Sequence, residues 1–415
     1  MANRLPFYYG WVIVVVAALA MLATLPGRTQ GLGLITEPLL ADMGLGRDTY
    51  ARINFWATIF GSLSCLSVGR WVDRYGARLV LVLIVAALGA TVVGMSAVAG
   101  AASLFVFLTL TRAIGQSALS VVSIALVSKW FHRRISLAMG VYAVLVGLMF
   151  AAAFGLVGYA VSEQGWRIAW RGIGLVLLFG FAPLAAWLAR STPESCGLAG
   201  DPIDSSNNSQ TTGMPLAVAL RTPAFWVFAL ATSLFGLAIS GIGLFNEAIL
   251  RELGFDARTY HMVLAGTALV GLVSQLASGW IGWRWSLRGL MAVALVLYAT
   301  SLVWLPNVTS LAALWGNAVL MGAAGGMITV VFFAIWPAIF GRAHVGRIQG
   351  AAQMLTVLSS AVGPVLFAES ATRTGSYAPA LYSLAPLVLC LAIATWLMPL
   401  PKIESAINIE SNRAR

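Results

Sequence analysis

The sequence predicts an all-α membrane protein with twelve transmembrane helices, arranged as two parallel repeats of six. Three observations predict this. The first is composition: 60% of the 415 residues are hydrophobic and only 9% are charged, where a soluble chain carries about 25% charge. The mean hydropathy is +0.89. The second is the series of apolar stretches of about 20 residues, each long enough to cross a hydrocarbon core of roughly 30 Å. The third is an internal match at a fixed offset of 210 residues.

The apolar stretches are 11–38, 51–71, 79–99, 103–128, 136–160, 168–189, 223–250, 261–283, 288–305, 310–340, 348–370 and 377–400, here numbered spans 1 to 12. All are expected to be helices, because lipid offers no partner to an unpaired backbone group. Span 1 runs far past signal-peptide length and reads as a membrane span, not a cleaved leader. The polar stretch between spans 6 and 7 contains Thr192-Pro193-Glu194-Ser195 and Ser205-Ser206-Asn207-Asn208-Ser209. The expected organisation is therefore a six-helix bundle over 1–190, a linker over 191–222 and a second six-helix bundle over 223–415.

The net charge of +11 does not point to nucleic acid, because the basic residues sit in short clusters between spans. With both termini inside, sixteen Lys and Arg fall on the inner side and seven on the outer side. This positive-inside bias predicts cytoplasmic termini in a plasma membrane, here a bacterial inner membrane. The other two, Arg28 and Arg112, lie within spans. Three scattered cysteines make neither a disulfide framework nor a metal cluster. HExxH, CxxC, GxGxxG and GxxxxGK[ST] are all absent. No enzyme activity, cofactor or metal is expected, and a monomer is.

In the offset match, Gly31, Gly33, Leu34, Glu37, Leu40 and Gly44 reappear as Gly241, Gly243, Leu244, Glu247, Leu250 and Gly254. Thr49-Tyr50 reappears as Thr259-Tyr260. Gly61, Ser64, Leu66, Gly69 and Arg74 reappear as Gly271, Ser274, Leu276, Gly279 and Arg284. The same step pairs Gly115 with Gly325 and Gly140 with Gly350. Leucine matches are cheap in so apolar a chain; ungapped Gly, Glu and Thr-Tyr matches are not. Parallel repeats of this kind suit a transporter whose halves rock about a central site.

Gly69-Arg70-Trp71-Val72-Asp73-Arg74-Tyr75-Gly76-Ala77-Arg78, between spans 2 and 3, resembles the main signature of the major facilitator superfamily. Arg112-Ala113-Ile114-Gly115-Gln116 in span 4 resembles its second motif. Within that superfamily, Tyr8-Tyr9-Gly10-Trp11, Thr192-Pro193-Glu194 with Gly197-Leu198, and Gly363-Pro364 are similar to the monocarboxylate and oxalate/formate exchanger branch. The resemblance implies that spans 1 and 4 line a central cavity. It also implies a gate at Gly69, Asp73, Arg74, Gly76 and Arg78, with Asp73 near a helix N-terminus in an inter-half contact. Trp283 stands where Asp73 would recur, so that contact is expected on one side only.

Arg28 and Arg112 are the sharpest chemical signal. An arginine at mid-span costs roughly 2.5–3.5 kcal/mol on insertion scales. On continuous helices rising about 1.5 Å per residue, each would lie roughly 13 Å below the outer end of its span. Two guanidiniums at one level with no carboxylate at that depth make a site for an anion. Their repeat counterparts are Ala238 and Gly322, so the fold does not require a charge there. The alternative is that either arginine snorkels, bonds a carbonyl or braces neighbouring helices.

Polar residues at helical spacing extend the candidate substrate site: Gln116 in span 4, Ser240 in span 7, Gln353 and Thr356 in span 11. Helix–helix hydrogen bonding is their bland alternative. Trp336-Pro337 marks a kink or gate in span 10, or packing alone. Glu37 and Glu247, near the outer ends of spans 1 and 7, are candidate proton-coupling carboxylates or rim braces. On a continuous helix Glu37 would lie about half a turn round from Arg28. The expected function is secondary transport of a small organic anion, a mono- or dicarboxylate, by alternating access, coupled to protons or by exchange. Rivals are proton-driven efflux of drug-like compounds, inorganic-anion transport, and a transport-inactive receptor.

Overall fold

The computed structural model describes residues 7–198 and 213–401, and these are almost entirely helical. Eleven helical segments are long and apolar enough to cross a membrane. Span 2 completes the twelve as two helices, Arg47–Ser62 and Ser64–Tyr75, interrupted at Leu63. Spans 5, 7, 10 and 11 are 30-residue helices: Ile135–Gln164, Pro223–Glu252, Leu311–Phe340 and Val345–Thr374. Side-chain caps fix several helix starts, as where Asp256 accepts from the Thr259 amide at 2.8 Å.

Two spans depart from simple helices. Span 1 is not one helix over 11–38. It is an α-helix Gly10–Leu22, a 3-10 turn Leu25–Gly27, and the short helices Thr29–Gly33 and Thr36–Met43. The ring of Pro26 would clash with the Leu22 carbonyl in a continuing helix, and it has no N–H to donate. Arg28 is left extended, with φ −90° and ψ 151°. A depth counted along a straight helix therefore does not apply to Arg28, nor does a half-turn separation from Glu37. Span 4 is α-helical over Ala101–Thr111 and Ser120–Trp130 but π-helical over Arg112–Leu119. Its repeat counterpart, span 10, stays α-helical throughout.

The described chain divides into two compact units. One is formed by Met1–Arg133, Leu145–Thr211 and Arg342–Met354, the other by Arg134–Val144, Thr212–Gly341 and Leu355–Arg415, so far as these residues are described. Each unit thus takes in the start of one span, 11 or 5, from the other half of the sequence. Glycines explain why. A Cβ on Gly69 would sit 2.3 Å from the Gly346 carbonyl oxygen, and one on Gly350 would sit 2.4 Å from that of Cys65. In the other unit a Cβ on Gly279 would meet the Gly140 Cα at 2.9 Å and the Ser136 oxygen at 3.1 Å, and one on Gly140 would meet the Gln275 oxygen at 2.9 Å. The pairs 69/279, 350/140, 346/136 and 65/275 all differ by 210. The same backbone-to-backbone crossing is built once in each unit. The repeat also recurs as a hydrogen bond: the Ser64 hydroxyl donates to the Ala113 carbonyl and that of Ser274 to Ala323, each at 2.7 Å.

Trp336 is fully buried and packs on Phe225, Phe332 and Phe340. Pro337 lies inside an unbroken helix. Of the linker expected over 191–222, residues 199–212 lie outside the described residues; the rest holds a turn at Glu194–Cys196 and a short helix Leu216–Ala219.

These crossings have no room for a methyl group. Gly69→Ala and Gly279→Ala should each lower stability by about 1–3 kcal/mol, the usual cost of overpacking. Gly33→Ala, with nothing within 4 Å of its new carbon, should not. Thermal unfolding of the purified variants in detergent checks this.

Candidate functional site

Arg112 opens the π-helical segment and is 1% exposed. Its Nη1 donates to Thr29 Oγ1 at 3.1 Å and to Gln116 Oε1 at 2.5 Å, and its Nη2 donates to Asn54 Oδ1 at 2.5 Å. These three acceptors are neutral and come from spans 1, 4 and 2. Its Nε is buried without a hydrogen-bond partner. Two glycines let this happen. A Cβ on Gly61 would lie 2.8 Å from that of Arg112, and one on Gly27 would lie 2.4 Å from the Thr111 carbonyl oxygen. The broken part of span 1 is thus pressed against the π-helical part of span 4. Such π-helical turns are rare and concentrate at functional sites.

Arg28 is only half-buried. Its Nε donates to Thr24 Oγ1 at 2.6 Å, and its Nη2 donates to Met21 Sδ at 2.8 Å and to Ser120 Oγ at 3.2 Å. Its guanidinium carbon lies 5.4 Å from the centre of the Phe150 ring. The next residue, Thr29, is exposed and is the one Arg112 reaches. The structure bonds Arg112 to Gln116 and to Thr29, the chain neighbour of Arg28, and gives the two arginines different surroundings. Thr29 and Gln116 each receive a bond on oxygen from Arg112. Among the described residues no acceptor takes the Thr29 hydroxyl hydrogen or the Gln116 amide hydrogens. Donors of this kind suit a carboxylate.

The remaining candidates are placed elsewhere. The Ser240 hydroxyl donates to the Leu237 and Ser360 carbonyls at 2.9 and 2.7 Å, so it ties span 7 to span 11. The Thr356 methyl lies 3.0 Å from where a Cβ on Gly236 would sit. Gln353 is half-buried, while its neighbour one turn earlier, Gln349, is fully buried with neither amide atom partnered. Glu37 pairs with Arg47 at 3.0 Å and Glu247 with Arg251 at 2.7 Å. All four side chains are at least 45% exposed, as rim braces would be. Sequence reasoning missed Thr24, Thr29 and Asn54. Asn54 was findable, since Tyr50, Asn54 and Thr58 repeat every fourth residue on span 2.

The signature loop is held by helix ends. Asp73 accepts from the amides of Gly346 and Arg347 at 3.1 and 3.0 Å, capping span 11, and from Lys129 Nζ at 3.3 Å. Its side chain is 4% exposed. A carboxylate favours this positive end of a helix. Gly76 has φ +83°, which a glycine tolerates. Arg78 donates from Nε and Nη2 to the Ala186 carbonyl at 3.2 and 2.7 Å, near the C-terminus of span 6. Arg74 lies over the Tyr75 ring.

The sequence profile of the Major Facilitator Superfamily matches residues 16–245 and 228–414. The chain belongs to the major facilitator superfamily. It is 27% identical over 259 residues to monocarboxylate transporter 13 of Bos taurus, covering 61% of this chain and 58% of that protein. To the Rattus norvegicus counterpart it is 27% identical over 297 residues, covering 70% and 65%. The chain thus spans less than two thirds of the length of either. To monocarboxylate transporter 11 of Mus musculus it is 25% identical over 394 residues, covering 89% and 83%. Two solved superfamily folds superpose on it. A proton:xylose symporter does so with a TM-score of 0.76 at 12% identity over 97% of this chain and 99% of that one. The human organic anion transporter TETRAN does so with 0.65 at 17% over 92% and 98%.

The contrast between the arginines is testable in this superfamily member. Arg112→Ala leaves the acceptors of Asn54, Gln116 and Thr29 without their donor and should cost about 2–4 kcal/mol, at roughly 1–3 for a buried orphan. Arg28→Ala should cost clearly less. Chemical unfolding of both variants, followed by tryptophan fluorescence, decides it.

Proposed function

We propose that the protein carries a small organic anion, a mono- or dicarboxylate, across the membrane by alternating access, with Arg28 as the cation that meets it. The observation that carries this reading is the pairing of a half-buried Arg28 with a fully buried Arg112 held by neutral acceptors. Arg112 supplies positive field and fixes the direction of Thr29 and Gln116. Arg28, Thr29 and Gln116 then present hydrogens to a carboxylate. The repeat counterparts of Arg28 and Arg112 are the uncharged Ala238 and Gly322, which fits a substrate feature better than a fold requirement. Span 8, over 261–283, has no Lys, Arg, Asp or Glu, so the cations for an anion are those of spans 1 and 4. Similarity to monocarboxylate transporters supports the same substrate class.

The gate in this proposal is Asp73 on the amides of Gly346 and Arg347. Alternating access needs that cap to form and release. Both termini are proposed to lie on the cytoplasmic face of a plasma membrane, a bacterial inner membrane, where Lys and Arg collect. Coupling is proposed as proton symport or anion exchange. Glu37 and Glu247 sit in exposed ion pairs, so Glu37→Gln and Glu247→Gln should leave exchange transport intact.

Uptake by proteoliposomes tests the reading, against labelled monocarboxylates, dicarboxylates, nitrate and phosphate. Carboxylates should be taken up and should compete with each other. Arg28→Ala should weaken binding at least about a hundredfold, as expected for two charge-assisted hydrogen bonds at roughly 1.5–3 kcal/mol each. Arg28→Lys should weaken it less, since lysine keeps the charge without the planar fork. Full carboxylate uptake by Arg28→Ala would refute the role of Arg28. Asp73→Asn should slow turnover more than it changes equilibrium binding, because it shifts the balance between states and leaves the site intact. Parent-like turnover in a folded Asp73→Asn protein would refute the gate.

A further inference from the structure

The repeat places a helix N-terminus at matching positions in each unit, and a carboxylate from position 73 caps it in the first unit only. In the first unit the seat is the N-terminus of helix Val345–Thr374, where the amides of Gly346 and Arg347 donate to Asp73. Moving each position by 210 gives Ser136 and Leu137, at the start of helix Ile135–Gln164, and Trp283 in place of Asp73. An indole donates and cannot accept. The second seat therefore has the positive end of a 30-residue helix and no carboxylate from the position that supplies one in the first.

Further features collect at this seat. The guanidinium of Arg134 lies 5.7 Å from the centre of the Trp283 ring, and that of Arg284 lies 5.5 Å from the same ring and 5.0 Å from that of Trp280. The two arginines and Trp283 are exposed. Ser136 is 2% exposed, its hydroxyl has no hydrogen-bond partner, and that hydroxyl would lie 2.3 Å from a Cβ on Gly282, the residue before Trp283. An unpartnered buried donor, a helix N-terminus and two guanidiniums on one ring are the parts of a phosphate site. Leading away from it along the same helix, Leu269, Val273, Leu276 and Trp280 are all exposed, between 48% and 63%. Their spacing of three and four residues makes one continuous apolar stripe.

We infer that Arg134, Ser136, Trp283 and Arg284 bind the headgroup phosphate of an anionic phospholipid, whose acyl chains lie along the stripe from Trp280 to Leu269. Arginine and tryptophan at span ends sit at headgroup depth. The stripe favours a lipid over a free anion, because a soluble phosphate has no use for four exposed apolar side chains beside its site. The lipid takes the place that Asp73 takes in the first unit. This inference is independent of the transported substrate.

The test uses the purified full chain in uncharged detergent, with thermal unfolding and native mass spectrometry as readouts. The probes are phosphatidylglycerol, phosphatidylcholine of the same acyl chains, and inorganic phosphate. Phosphatidylglycerol should raise the unfolding midpoint by several degrees more than phosphatidylcholine, and inorganic phosphate should not. The double variant Arg134→Ala/Arg284→Ala should lose that difference and bind phosphatidylglycerol roughly tenfold more weakly or worse, as expected for lost charge-assisted hydrogen bonds. Trp283→Asp, which restores the carboxylate of the first unit, should also lose the response. Should Trp283→Asp fail to fold, the arginine variants, exposed and outside the core, still decide. Equal stabilisation by the two lipids, or a double variant that responds like the parent, overturns the site. Equal stabilisation by inorganic phosphate overturns the lipid. A parent that ignores phosphatidylglycerol, with a midpoint that falls in the double variant, would put a carboxylate of the chain itself there and also overturn the lipid.

Discussion

A guanidinium inside a helical bundle carries five N–H donors and has no bulk water to receive them. Arg112 meets this constraint in part, with three neutral oxygens drawn from three spans and its Nε left without a partner, and the geometry around it follows. To reach Thr29 it needs span 1 close by, and Gly27 allows that approach to Thr111 and Gln116. To reach Asn54 it needs span 2 close by, and Gly61 allows that. The break at Pro26 and the π-helical turn at 112–119 are the backbone side of the same arrangement. Replacing the carboxylate usual for a buried arginine with neutral acceptors leaves its charge uncompensated, and an anion is then welcome nearby.

A second constraint acts at the helix crossings. Where two backbones touch, neither can carry a side chain, so glycine is demanded by contact and not by turn geometry. The chain does this at repeat-related positions, Gly69 with Gly350 and Gly279 with Gly140. Duplication explains why both crossings share the same register, down to the serine that bonds a carbonyl on the fourth or tenth span. The two copies then differ in charge at position 73 against 283. Asp73 closes its crossing with a carboxylate on two amides. Trp283 places an aromatic face between two arginines instead.

This division of labour bears on function. Charges that the fold needs recur in the repeat or pair locally, as Glu37 and Glu247 do with nearby arginines. Arg28 and Arg112 do not recur, as the proposed substrate role allows. The superfamily fold supplies two similar halves, and the proposed site lies where they differ.

By itself the sequence determined the membrane class, the twelve spans, the repeat and the signature loop. Each follows from rules local in the chain: an apolar length that matches a bilayer, or Gly, Glu and Thr-Tyr recurring at one offset. It also picked out Arg28 and Arg112, since charge within an apolar run is visible without a structure. Only the tertiary structure decided that the two differ. Two of the three partners of Arg112 lie 83 and 58 residues away, and one partner of Arg28 lies 92 residues away, so no periodicity in one span reveals them. The break in span 1 had its signal in Pro26-Gly27, but a proline in a membrane span can also be absorbed by an unbroken helix, as Pro337 and Pro364 are. What separates these outcomes is whether a neighbouring helix satisfies the freed backbone and side-chain groups, and that is a property of packing, not of sequence order.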